Sequence, residues 1–169
     1  MQALKQDAKE VAENVMITDL VRNDLSKTAK KGSVRVEELC GVYEFEHVNQ
    51  MISSVTSELR DDCSALDVLL NAFPMGSMTG APKISAMKLI ENHEDFKRGL
   101  YSGSVGYFTP KLDFDFNVVI RSVLYNESQR VVTFPTGSAI TINSDPEKEY
   151  DECMLKAEAM RKVLLNHAK

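Results

Sequence analysis

No basic block and no lysine- or arginine-rich face studded with aromatics occurs in this 169-residue chain, and its formal net charge is -5. That argues against nucleic acid as the main partner, because phosphate binding needs a concentration of positive charge. Long apolar runs are missing too. The longest is far too short to span a bilayer, and the first residues carry no secretory hydrophobic segment. The three cysteines, Cys40, Cys63 and Cys153, are odd in number and lack Cys-x-x-Cys spacing. They read as reduced thiols of a cytoplasmic protein rather than a disulfide framework. His47, His93 and His167 are scattered and join no cysteine cluster, which disfavours zinc. What remains, 43% hydrophobic and 27% charged residues, is the composition of an ordinary soluble globular domain.

The most informative stretch is Phe73-Pro74-Met75-Gly76-Ser77-Met78-Thr79-Gly80-Ala81-Pro82-Lys83. Apolar residues recur at helical spacing before it (Ala65, Leu66, Val68, Leu69, Leu70) and after it (Ile84, Met87, Leu89, Ile90). Pro82 stands where a first helical residue belongs, so the loop ends at a helix N-terminus, whose free N–H groups and dipole favour an anion. Gly76 and Gly80 let backbone approach a ligand. Ser77 and Thr79 offer hydroxyls, and Lys83 a charge. The same composition also suits a plain helix–loop–helix connection.

Around this loop the pattern predicts a helix over 3–24, a turn at 30–33 and extended chain from Val34. It then predicts a strand over 48–55 and helices over 65–73 and 82–92. Three strands follow, over 101–108, 115–125 and 130–142, the last two joined by a turn at 126–129. A final helix runs from Pro146 to Asn166 behind Asp145 as N-cap. With no repeat or linker, this reads as one packed α+β unit.

The loop resembles the F-P-x-G-S/T-x-S/T-G-A-P-K segment of the chorismate-utilising enzymes, in particular the aminodeoxychorismate synthase and anthranilate synthase large subunits. Ala12-Glu13-Asn14-Val15-Met16-Ile17-Thr18-Asp19-Leu20-Val21-Arg22-Asn23-Asp24-Leu25 is similar to a helix of that family. So are Tyr101-Ser102-Gly103-Ser104-Val105-Gly106-Tyr107, Ile120-Arg121-Ser122 and Ser144-Asp145-Pro146-Glu147-Lys148-Glu149-Tyr150, in the family's order. The likeness runs over residues 4–165. It implies the C-terminal portion of a two-sheet α/β sandwich with helices outside and the active site in a cleft.

Glu10 and Glu13 lie three apart on the first helix, Glu149 and Glu152 three apart on the last, so each pair projects from one helical face. Such pairs are commonly solvated. If the four converge, however, their repulsion requires a cation or proton, and an all-oxygen set suits Mg²⁺. The resemblance implies a Mg²⁺ ion held against the ring carboxylate of chorismate, with Glu13 and Glu152 as direct ligands. Glu10 and Glu149 would be water-bridged partners, Glu149 counting also with Gln50 and Lys83 among the catalytic residues. Arg121, with a guanidinium fork matched to a carboxylate, and Tyr101 would bind the enolpyruvyl carboxylate. Gly137-Ser138-Ala139-Ile140 is similar to a family turn whose N–H groups contact substrate, with alanine at Ala139 in place of a second glycine.

Gln50 stands where anthranilate synthases carry histidine. Histidine can move a proton as the ring aromatises, and glutamine cannot titrate, which favours a product that keeps the diene. His47 is expected to point to the other strand face. The resemblance thus implies amination of chorismate to 4-amino-4-deoxychorismate, a para-aminobenzoate and folate precursor. Anthranilate synthase and a non-catalytic remnant are the alternatives. Ammonia would come from a glutamine amidotransferase subunit. The family's P-I-K-G-T motif, with its attacking lysine, has no match here. The chain is therefore expected to be part of a longer synthase, inactive alone, whose uncovered sheet surfaces favour self-association.

Overall fold

The computed structural model describes residues 2–45, 49–142 and 144–166. These form α1 (Gln2–Gln6), α2 (Ala8–Ser26), β1 (Arg35–Glu44), β2 (Asn49–Thr56), α3 (Ala65–Ala72), α4 (Lys83–His93), β3 (Ser104–Phe108), β4 (Phe114–Val118), β5 (Leu124–Asn126), β6 (Val131–Thr133) and α5 (Pro146–Asn166), with a 3-10 turn at Gly76–Met78. The class is α+β. The described strands pair as three two-stranded sheets, β1–β2, β3–β4 and β5–β6. Where the sequence predicts one packed unit, they cluster as two compact ones. The first is Met1–Asp95 with Phe108–Phe114, the second Phe96–Tyr107 with Asp115–Lys169.

In the first unit the predicted N-terminal helix is interrupted. The Asp7 carboxylate accepts from the N–H groups of Lys9 at 2.9 Å and Glu10 at 3.2 Å, so Asp7 caps α2 instead of continuing a helix from residue 3. The hairpin β1–β2 is antiparallel, with Arg35 opposite Thr56 and Glu44 opposite Asn49. Its register slips between Val36 and Glu38 and again before Gly41, and Cys40 takes left-handed backbone (φ 54°). Asn14 of α2 holds this irregular stretch. Its side-chain carbonyl accepts from the Ser53 hydroxyl and, at 3.5 Å, from the Cys40 thiol, and its amide donates to the Met51 carbonyl at 3.4 Å.

Helix α3 begins in a capping box. The Ser64 hydroxyl accepts the Asp67 N–H, while the Asp67 carboxylate accepts the Ser64 N–H at 2.8 Å. The Ser64 hydroxyl also donates to that carboxylate at 2.6 Å, and this bond first, with the Ser64 N–H second, holds the Asp67 carboxyl below its ordinary pKa. Helix α4 starts one residue later than predicted. Pro82 stays extended at ψ 139° as the N-cap, and Lys83 is the first helical residue.

In the second unit, Asp145 caps α5 as the sequence predicts, accepting from the N–H groups of Glu147 at 3.0 Å and Lys148 at 3.2 Å. The β5–β6 hairpin is also as expected, with Leu124 opposite Thr133. The long predicted strands are not. Strand β3 starts at Ser104 because Tyr101 and Ser102 lie in a turn, and the 115–125 run breaks after Val118, with Arg121 in left-handed backbone (φ 49°). Strand β6 stops at Thr133. Beyond it Pro135 cannot donate to a ladder and Gly137 gains little from extension, so the segment to Thr141 is irregular.

Burial is thin. Among the described residues only Ala29, Tyr101, Val119 and Met160 are buried apolar side chains, matched by the polar Thr18, Asp24, Thr28, Ser102 and Glu149. Leu70, Ile84, Leu112 and Leu155 are each more than 60% exposed. Every described strand is an edge strand of its pair, with backbone groups open to another chain.

Candidate functional site

The loop after α3 folds onto its own backbone. Its 3-10 turn runs through Gly76–Met78, and the Thr79 hydroxyl donates inward to the carbonyls of Met75 at 3.1 Å and Gly76 at 3.2 Å. Ser77 is exposed at the crest. Gly76 is buried against α2, where a Cβ would stand 3.1 Å from the Leu20 Cβ, and a Cβ on Gly80 would stand 3.0 Å from that of Ala86. No side chain caps the N-terminus of α4, so its first N–H groups lie next to the loop without an internal cap. Lys83, expected to supply charge for an anion, instead turns to Asp24 of α2, Nζ to Oδ2 at 2.5 Å, and to the Ala72 carbonyl at 3.2 Å.

On α2 itself, Glu10 is exposed and Glu13 half-buried, its Oε1 3.8 Å from the Lys9 ammonium. Gln50 is exposed on β2 opposite Tyr43, so its amide is open to solvent. His47 lies outside the described residues.

The second unit gathers five of the predicted residues. Tyr101 is buried, and its hydroxyl lies 2.6 Å from where a Cβ on Gly137 would be. Glycine is required there by the close approach itself. The next residue, Ser138, donates its hydroxyl to the Glu149 carboxylate, and Glu149 is only 5% exposed on the first turn of α5. One turn on, Glu152 pairs with Lys156, Oε1 to Nζ at 2.6 Å, and that ammonium also donates to the Gly137 carbonyl at 3.2 Å. Tyr101, Gly137, Ser138, Glu149 and Glu152 thus share one locality. Ala139 is exposed, its carbonyl accepting from the Ser144 hydroxyl at 3.3 Å. Arg121 is exposed and makes no ion pair among the described residues, so it is not brought into this cluster by any contact of its own.

Sequence reasoning missed Lys156 and Asp24. Lys156 follows Glu152 by one helical turn, the spacing of an intrahelical ion pair, and that signal was readable. Asp24 sits inside a quoted motif, but its distant partner Lys83 could not be read from spacing.

Among the described residues no three His, Cys, Asp or Glu side chains gather into a metal-holding group. The donor chemistry of the α5 pair does fit a hard cation. Its oxygens are carboxylate and hydroxyl, and the ammonium beside Glu152 shows a carboxylate already arranged to face positive charge. No helix of the described residues is long and apolar enough to cross a membrane.

The family model described as chorismate binding enzyme matches residues 1–162. The chain is 45% identical over 161 residues to a rice (Oryza sativa subsp. japonica) protein named "Probable aminodeoxychorismate synthase, chloroplastic", covering 95% of this chain and 18% of that one. It is 43% identical over 161 residues to anthranilate synthase component 1 of Aquifex aeolicus, covering 95% and 32% respectively. Among solved structures, anthranilate synthase component I from Streptococcus pneumoniae superposes with a TM-score of 0.85 at 34% identity, over 94% of this chain and 36% of that one. The chain therefore spans between about a fifth and about a third of the length of these relatives.

Proposed function

The chain belongs to the chorismate-binding enzymes, and from that premise we propose that the intact protein is an aminodeoxychorismate synthase component I. It would aminate chorismate to 4-amino-4-deoxychorismate for para-aminobenzoate and folate synthesis. The observation that carries the reading is the gathering of Tyr101, Gly137, Ser138, Glu149 and Glu152 in one place. A buried hydroxyl, a segment that needs glycine and two carboxylates there suit a small acid and a cation together.

Within this reading Glu13 and Glu152 would hold Mg²⁺ and Glu10 and Glu149 would support them, as their motifs imply. Bound Mg²⁺ supplies charge stabilisation for the substrate's ring carboxylate. The chain's own groups do the rest. Ser138, donating to Glu149, fixes the orientation of that buried carboxylate. Lys156 and Glu152 are an i,i+4 pair with side chains 33% and 39% exposed, and helical pairs of this spacing are weak, so a cation can replace Lys156 at Glu152 at small cost. Tyr101 and Arg121 hold the enolpyruvyl carboxylate, and the uncapped α4 N-terminus with the Gly76–Gly80 backbone orients the ring. The attacking nucleophile and the ammonia are assigned to other parts of the intact assembly, the ammonia to a glutamine amidotransferase subunit.

Gln50 supports amination without aromatisation, because an exposed amide on β2 holds no proton to move near neutral pH. Anthranilate synthase is the second reading, favoured by relatives of similar identity. Both readings share the cation and chorismate site. Calorimetry of the full-length protein tests it. Glu152→Ala should abolish Mg²⁺-dependent chorismate binding while circular dichroism stays unchanged. Undiminished Mg²⁺-dependent affinity in that variant would remove Glu152 from the site.

A further inference from the structure

Asp24, near the end of α2, is 5% exposed and faces two ammonium groups. Lys27 reaches its Oδ1 at 2.9 Å from three residues along the same helix, and that side chain is 43% exposed. Lys83 reaches its Oδ2 at 2.5 Å from 59 residues away, and its side chain is only 13% exposed. The two contacts differ in kind. Lys27 is a local, solvent-shared neighbour, whereas Lys83 is a long-range partner in a nearly dry setting.

The Lys83 ammonium also donates to the carbonyl of Ala72, the last residue of α3, at 3.2 Å. One charged group therefore joins the C-terminal end of α3, the first residue of α4 and the last part of α2. Those first two positions are the two ends of the loop from Phe73 to Pro82. A second contact fastens the loop midway, where Gly76 packs on Leu20, one helical turn before Asp24, with no room for a Cβ without displacement. The Thr79 hydroxyl, turned onto Met75 and Gly76, closes the crest on itself.

We propose that Asp24 is the positioning residue of this loop. Acting through Lys83, it fixes the Gly76–Gly80 backbone and the N-terminus of α4 against α2, the helix that carries Glu10 and Glu13. Lys83 is then a strut, not a ligand for the anion. Losing Asp24 leaves the nearly dry Lys83 ammonium without its carboxylate, and losing Lys83 leaves Asp24 with the local Lys27 alone, so either change releases the loop ends. The clamp stands on geometry alone. That its purpose is to place the loop for chorismate rests on the function proposed above.

The test uses the full-length protein with Asp24→Asn, Lys83→Met, Lys83→Arg and the double variant Asp24→Asn/Lys83→Met. Hydrogen exchange is read at the amides from Gly76 to Ile84, and chorismate affinity by calorimetry. Either neutralising variant should speed exchange in that window by about tenfold or more and leave the β1–β2 hairpin unchanged. Each should also weaken chorismate binding by about tenfold, and the double variant should be no worse than the worse single one. Lys83→Arg should restore loop protection. If Asp24→Asn does not fold, Lys83→Met against Lys83→Arg carries the same comparison. Unchanged loop exchange in the neutralised variants overturns the proposal, and so does lost affinity in Lys83→Met with full loop protection, which would make Lys83 a ligand. Faster loop exchange in a protein whose wild type ignores chorismate would keep the clamp and sink the proposed substrate.

Discussion

The hydroxyl of Tyr101 occupies the space a side chain on Gly137 would need, 2.6 Å from the position of its Cβ. Two residues 36 apart in the chain are therefore matched as a pair, one buried phenol against one bare backbone. This contact places the irregular segment 137–139, from which Ser138 reaches Glu149.

Gly137→Ala should accordingly push the Tyr101 ring aside while the rest of the unit holds. Overpacking of this kind costs about 1–3 kcal/mol. If Tyr101 and the segment both touch substrate, chorismate affinity in the full-length protein should fall by about tenfold or more, and Gly137→Ala/Tyr101→Phe should recover part of it. Equal affinity in Gly137→Ala and wild type would remove this segment from the site.

The start of α3 gives a pH-dependent prediction. The Asp67 carboxyl is held below its ordinary pKa chiefly by the Ser64 hydroxyl. A depressed folded-state pKa contributes stability above the unfolded value of 3.8 and loses it as pH falls through the folded value. The first turn of α3 should therefore lose protection only in acid, below the ordinary aspartate range. In Ser64→Ala the Asp67 titration, followed by carboxyl NMR, should move up toward 3.8. An unmoved titration would mean the capping box does not persist in solution.

Local signals of this kind were legible in the sequence, and contacts between distant residues were not. Ser64, Asp145 and the 126–129 turn act within a few residues; α3 and α5 start where the pattern puts them, and the turn joins its two strands as predicted although those strands are far shorter. Asp7 is also a local cap, but it sits inside a continuous apolar stripe that masked the break between α1 and α2. Strand β1 beyond Val36 was hidden because its slipped register around Cys40 destroys the alternation that marks a strand. The site followed the same division. Tyr101, Gly137 and Glu149 were reached through their motifs, whereas the engagement of Lys83 by Asp24 depends on a fold that brings residues 59 apart together.

Exposed apolar side chains predict behaviour in solution. Leu70, Ile84, Leu112 and Leu155 are uncovered, and each described sheet is a pair of edges. The 169-residue chain expressed alone should self-associate as concentration rises, by apolar contact and strand addition. Light scattering across a hundredfold range of about 1–100 μM checks this, since pairing of this kind commonly sets in there. A constant monomer mass throughout would show that these surfaces do not drive association.

Product identity in the full-length enzyme tests the central claim most directly. Given chorismate, Mg²⁺ and ammonia, it should consume chorismate and accumulate 4-amino-4-deoxychorismate, resolved by chromatography, with little anthranilate fluorescence. Anthranilate appearing at a rate comparable to chorismate loss would contradict the assignment drawn from Gln50 and make this an anthranilate synthase.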